Sequence, residues 1–166
     1  MSDKSQLDDF VEGDIPPSAR VVEIWGSQVI DVLDEPAEYH KAISAIPSAI
    51  RNVICVELLS WQVLNGGFRQ YFWNSYGITA QGAIQGFRAM GLEMHAELTR
   101  QACALLGERF PELRLARMEI VGEVGGIGIN FNALDDAFYA LQENDRDSAE
   151  AALAAYATAA LDARWQ

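Results

Sequence analysis

Glu57 is the residue of this sequence whose setting most invites proton chemistry. On a helical wheel at about 100° per residue, Ile50, Val53, Ile54, Trp61 and Leu64 form one apolar arc, with Glu57 in its middle. A carboxylate buried there ionised and unpaired would cost several kcal/mol. It is therefore expected to be neutral, hydrogen-bonded or matched to an arginine, with Arg69 and Arg88 as candidates. Two roles fit: a structural acid that ties two helices together, or a proton-transfer acid that lines a pocket.

The other reactive side chains lack partners at useful spacing. His40 and His95 are the only histidines, and Glu93-Met94-His95-Ala96-Glu97 lacks the second histidine of a zinc-binding helix. His95 and Cys103 share one expected helix but stand roughly 12 Å apart by rise, too far for a nucleophile and its base. No Gly-x-Ser-x-Gly elbow occurs. Asp135 and Asp136 are adjacent and diverge by about 100° on a helix, which makes a poor acid-base pair. Lys4 and Lys41 are the only lysines, so no Walker-type phosphate loop exists. The glycines of the stretch from Gly122 to Asn130 are not spaced as Gly-x-Gly-x-x-Gly and follow no strand, so they read as a plain connector. The expectation is a non-enzyme with no cofactor and no metal.

The positioning elements converge on Asn65-Gly66-Gly67-Phe68-Arg69-Gln70-Tyr71-Phe72-Trp73-Asn74. Asn65-Gly66-Gly67 reads as a helix end, because Asn and Gly tolerate positive φ. In the helix that follows, Phe68 and Phe72 share a face, while Gln70 and Asn74, four apart, can hydrogen-bond across one turn. Glu57, Asn65, Gly66, Gly67, Gln70, Trp73 and Asn74 are thus the motif candidates, for architecture or for contact with a ligand. This run, together with Leu134-Asp135-Asp136-Ala137-Phe138-Tyr139, resembles a bacterial family of small acidic proteins long classed as a domain of unknown function, over residues 45 to 160. The named representative of that family is a DNA mimic. The resemblance implies an all-helical fold. It also implies a protein similar to duplex DNA in charge and shape, which occupies the DNA site of a transcription factor.

Composition and periodicity, taken alone, give a compatible picture. At 166 residues, half of them apolar, the chain can bury roughly 70% of its unfolded surface without a metal or a disulfide. The net charge is -12, which disfavours nucleic acid and anionic membranes and favours a basic partner. Cys55 and Cys103 lie in apolar helical segments and read as core thiols of a reducing compartment. With no signal pattern at Met1 to Phe10 and no membrane-length apolar run, a cytoplasmic location is expected.

The chain reads as all-α, with an acidic arm at residues 1–17 and a single domain of eight or nine helices at 18–166. Leu7, Phe10, Val11 and Ile15 are the arm's apolar residues. A first helix is expected from Ser18 to Leu33, then a cap at Asp34-Glu35-Pro36 and a short helix. Pro47 opens the central helix. Ser75-Tyr76-Gly77 reads as a turn, Thr79 as the cap of a helix that Gly91 closes, and Leu92 to Leu106 as the next helix. Gly82 and Gly86 permit close helix contact. Pro111 is expected to begin a further helix. Asn132 with Asp135 has cap-like spacing, and Asp147 with Glu150 resembles a capping box before an alanine-rich helix.

Charge is unevenly spread. Residues 1–50 carry ten acids against three bases, 51–110 four against five, and 111–166 ten against four. The candidate partner-binding carboxylates are Asp31, Asp34, Glu35 and Glu38 on one flank, and Asp135, Asp136, Glu143, Asp145, Asp147 and Glu150 on the other. An ordinary solvated surface and a phosphate-like array are both consistent with them. A compact chain of this length is about 40 Å across, close to one DNA turn of about 34–36 Å. The expected partner is a basic DNA-binding protein such as a helix-turn-helix regulator, with no nucleic acid or membrane bound directly. The alternatives are an interaction module acting through Gln70, Trp73 and Asn74, and an enzyme built on Glu57.

Overall fold

Prolines set where the first helices begin, because a fixed φ and a missing N–H suit the first turn. α1 (Pro17–Trp25) carries proline in its first turn, α3 (Pro36–Ser44) starts on Pro36, and α4 (Ser48–Trp73) follows Pro47. The computed structural model describes residues 15–122 and 128–163. The readings of Leu7, Phe10 and Val11 in the arm, and of the glycine-rich connector at 123–127, lie outside the described residues.

Between α1 and α3 lies a short α2 (Ser27–Ile30). The expected single helix to Leu33 is therefore divided at Gly26, where an added Cβ would stand 2.4 Å from the Val22 carbonyl oxygen. After α4 come a 3-10 turn (Ser75–Thr79), α5 (Ala80–Ala89), α6 (Glu93–Ala104), α7 (Arg114–Val121), α8 (Asn132–Asn144) and α9 (Arg146–Ala163). The described residues thus form nine α-helices and no strand, as the periodicity led one to expect.

α4 is the axis of the molecule. α1, α5, α7, α8 and α9 all pack on it, and Ile50, Val53, Ile54, Leu58, Leu59 and Val63 of its first arm are buried. α5 comes closest because its glycines remove side chains at the contact: a Cβ on Gly86 would sit 2.7 Å from the Asn52 carbonyl oxygen, and one on Gly82 2.6 Å from Cys55 Sγ. The second arm brings Phe68 and Phe72 into an aromatic cluster with Phe131 and Phe138, with neighbouring ring centroids 5.7 to 6.4 Å apart. Edge-to-face and tilted pairs at such distances contribute about 0.5–1.5 kcal/mol each beyond area burial. All described elements contribute to one continuous core.

Several expected helix starts are made differently. Thr79 gives no side-chain cap to α5; its hydroxyl donates to the Tyr76 carbonyl at 2.8 Å and meets the Tyr71 hydroxyl at 2.7 Å. α3 is entered through Glu35 without a side-chain cap bond, so Asp34 is not its cap. Pro111 lies before α7 rather than in it, its carbonyl taken by Arg117. Asp147 falls inside α9, and Glu150 pairs with Arg146 at 2.7 Å instead of closing a capping box. Gly91 does end α5 in a left-handed conformation, with φ of 75°. Cys55 and Cys103 are buried free thiols, and burial pushes the pKa of each up to about 12.

Candidate functional site

The motif is built around an interruption. Gly66 and Gly67 leave helical geometry inside α4, and Gly67 has φ of 76°. At such a break the next helix exposes unpaired N–H groups and the previous one unpaired carbonyls. α8 closes both sides: Asp135 Oδ1 accepts from the Phe68 N–H at 2.7 Å, and the Tyr139 hydroxyl donates to the Val63 carbonyl at 3.0 Å. A Cβ on Gly67 would come within 2.5 Å of Asp135 Oδ2, so glycine is required by both conformation and space. Between the two polar contacts, Phe138 meets Phe68 edge to face at 5.7 Å. The two sequence strings that carry the family resemblance are therefore the two halves of one brace. Asp135 does not cap its own helix with Asn132, as its spacing suggested; the N-cap of α8 is Phe131, without a side-chain bond.

The amides form a network centred on a residue the sequence reading did not single out. Gln70 Nε2 and Asn74 Nδ2 donate to Gln62 Oε1, at 3.2 and 2.9 Å, rather than bonding to each other. Asn65 Nδ2 reaches Gln70 Oε1 at 3.3 Å. Arginines hold the ends. Arg69 donates to the carbonyls of Val121 and Gly122 at 2.6 and 2.8 Å, and to that of Ile129. Arg114 donates to the Trp73 carbonyl at 3.1 Å. Arg117, fully buried, gives its five donors to the carbonyls of Phe72, Asn74, Ser75, Pro111 and Glu112. Guanidinium groups at the end of a helix satisfy its last carbonyls and oppose its dipole. Gln62 and Arg117 left no mark in the sequence, because their partners are set by tertiary packing rather than by helical spacing.

Glu57 is 8% exposed, and neither Arg69 nor Arg88 reaches it: Arg88 lies 4.0 Å from Glu93, and Arg69 is committed to the carbonyls above. Burial raises its pKa, opposed by hydrogen bonds from Ser18 and Trp61. The expected apolar arc is incomplete, since Trp61 and Leu64 are 46% and 41% exposed. They stand beside a cavity of about 560 Å³ that Glu57 also lines, together with Ser18, Phe87, His95 and Phe138. His95 is 7% exposed, stacks on Phe87 at 5.3 Å and meets Phe138 edge-on at 5.4 Å. Burial lowers its pKa. Glu57 is thus neither walled in by apolar side chains nor neutralised by a base.

The acidic candidates all reach the surface. Asp31, Asp34, Glu35, Glu38, Asp136, Glu143, Asp145, Asp147 and Glu150 are exposed, while Asp135 is half-buried against the Phe68 N–H. Burial raises the pKa of Asp135, opposed by that hydrogen bond. Three of the exposed acids have cationic neighbours: Asp34 lies 3.9 Å from Arg114, Glu38 3.8 Å from Lys41, and Glu150 2.7 Å from Arg146. Exposed pairs of this kind are worth about 0–1 kcal/mol and exchange readily for another cation. The first flank is carried by α3 and the segment after α2; the second is carried by α8, α9 and the junction between them. Among the described residues no cluster of His, Cys, Asp or Glu has the form of a metal site, and no helix is long and apolar enough to cross a membrane.

No curated protein and no solved structure showed a significant match to the chain. The family model described as DMP19-like protein matches residues 44–160, which takes in α4 with its glycine break, the α8 brace and most of α9. The chain belongs to the DMP19-like protein family.

Proposed function

We propose that this protein is a non-catalytic acidic binding protein that occupies the DNA-contacting face of a basic partner, of which a helix-turn-helix regulator is the plainest example. The observation that carries this reading is the separation of charge from architecture. The central third holds the motif and is nearly neutral. The flanks hold all the excess acid, and among the described residues their carboxylates, Asp135 apart, stand exposed. Membership of the DMP19-like family supports it, since DNA mimicry is the role its resemblance implies. Carboxylates repeated along helices about 5 Å per turn offer arginine and lysine side chains the partners that phosphates otherwise provide.

The reading in which Gln70, Trp73 and Asn74 form the contact surface is weakened by where their polar groups go. Gln70 and Asn74 are joined through Gln62, and the Trp73 carbonyl is taken by Arg114. The test is capture of partners from a host lysate on the immobilised protein at low and high salt, with and without added duplex DNA. Binding is expected to fall with salt and to be competed by the duplex. A partner retained equally under all conditions would contradict the proposal.

A further inference from the structure

The cavity beside Glu57 has no part in a surface-charge mechanism, yet it has the attributes of a built site. Its volume of about 560 Å³ falls within the roughly 300–1,000 Å³ of small-molecule pockets. Six helices contribute: α1 gives Ser18, α4 Glu57 and Trp61, α5 Phe87, α6 His95 and α8 Phe138, and α9 completes the wall. Three polar side chains, Ser18, Glu57 and His95, each more than nine-tenths buried, line it. Glu57 uses hydrogen bonds to Ser18 and Trp61, which leave carboxylate acceptor positions open. The His95 ring makes only aromatic contacts, with Phe87 and Phe138, and so keeps an acceptor nitrogen without a protein donor among the described residues.

We propose that this cavity binds a primary organic ammonium with an apolar body, the ammonium donating to the Glu57 carboxylate and to the neutral imidazole of His95. Three lines of charge and shape select this class. An ammonium offers three donors to the two acceptors, where an alcohol offers one. The aromatic side chains of Trp61, Phe87 and Phe138 in the lining suit an apolar body. Besides Glu57, the charges lining the cavity are Arg146 and Glu150 from α9, which pair at 2.7 Å; Asp145, after α8, acts on His95 from outside the lining. α1 and α5 present no charged side chain to the cavity, and the arginine that lines it, Arg146, is already paired with Glu150. Burial raises the pKa of Glu57, so wherever the free carboxyl still holds its proton, an ammonium that binds the carboxylate releases that proton to solvent.

Calorimetry on the full chain tests this with 2-phenylethylammonium against 2-phenylethanol, and hexylammonium against hexanol, in two buffers of different ionisation enthalpy. The amines are expected to bind about tenfold or more tightly than the alcohols, since one unmatched buried charge pair or hydrogen bond exceeds 1.4 kcal/mol. Their heats should differ between buffers by the proton released. E57Q should lose the preference for amines and the buffer dependence while still binding 2-phenylethanol, which shows that the cavity is intact. Equal binding of amine and alcohol, amine affinity unchanged in E57Q, or no binding of either pair would each overturn the proposal.

Discussion

At Glu57, stability and protonation are linked with a definite sign. Burial raises its pKa in the folded chain, so above the ordinary value of about 4.3 the folded state holds a proton that the unfolded state has lost. The stabilisation it gives is complete below that value and is lost as pH rises through the raised one. Asp135 acts in the same sense, and His95, whose pKa burial lowers, loses stabilisation as pH falls below about 6.5. The Glu57 contribution must therefore be isolated by difference. Denaturant midpoints of wild type and E57Q, compared from about pH 4 to about pH 8, should show the wild type losing ground to the variant as pH rises. Parallel curves would mean that the carboxyl is not held protonated. Of the three settings expected for Glu57 the structure shows hydrogen bonding, to Ser18 and Trp61, rather than an arginine. That it would be buried was legible in the helical wheel. Its cavity was not, because the wheel places Trp61 and Leu64 inward and cannot show that the surrounding helices stop short of them.

At the scale of elements, the break in α4 and its brace make a coupled pair. D135A removes the acceptor for the Phe68 N–H and should cost about 1–2 kcal/mol, the range of a lost N-cap. G67A places a Cβ at positive φ and within 2.5 Å of Asp135 Oδ2, so it should cost about 2 kcal/mol or more. In the double variant the carboxylate is gone, and part of the second penalty is relieved. Urea unfolding should therefore give a double-variant cost below the sum of the singles by about 0.5 kcal/mol or more; strict additivity would show that the two residues do not meet. The boundaries set by proline and glycine, at Pro36, Pro47, Gly67 and Gly91, were readable because they act through the backbone itself. The caps were not: Thr79, Asp135 and Glu150 have cap-forming side chains, yet each finds a stronger partner on a neighbouring segment or in its own next turn. Gln62 and Arg117 were invisible for the same reason, since hydrogen bonds across the fold leave no local spacing.

At the scale of the whole molecule, the proposed function turns on whether the two acidic flanks meet one partner face. The second lies on α8 and α9, which pack on α4, whereas the first is carried near α2 and α3, so their cooperation depends on the partner's reach. Charge reversal separates the possibilities, provided the reversed residues have no structural duty. On the second flank Asp136, Glu143 and Asp147 meet that condition and Asp135 does not, because it holds the α4 break together. On the first, Asp31 and Glu35 stand exposed without an ion pair among the described residues. Against a partner recovered by salt-sensitive capture, lysine at Asp136, Glu143 and Asp147 should slow association by about tenfold or more at low salt, with a smaller effect on dissociation. If one face spans both flanks, lysine at Asp31 and Glu35 slows association too, and the combined variant multiplies the effects. W73A leaves the association rate unchanged under the same reading. Association that ignores both reversals but is abolished by W73A would move the interface to the motif, and the acidic flanks would then be solvated surface.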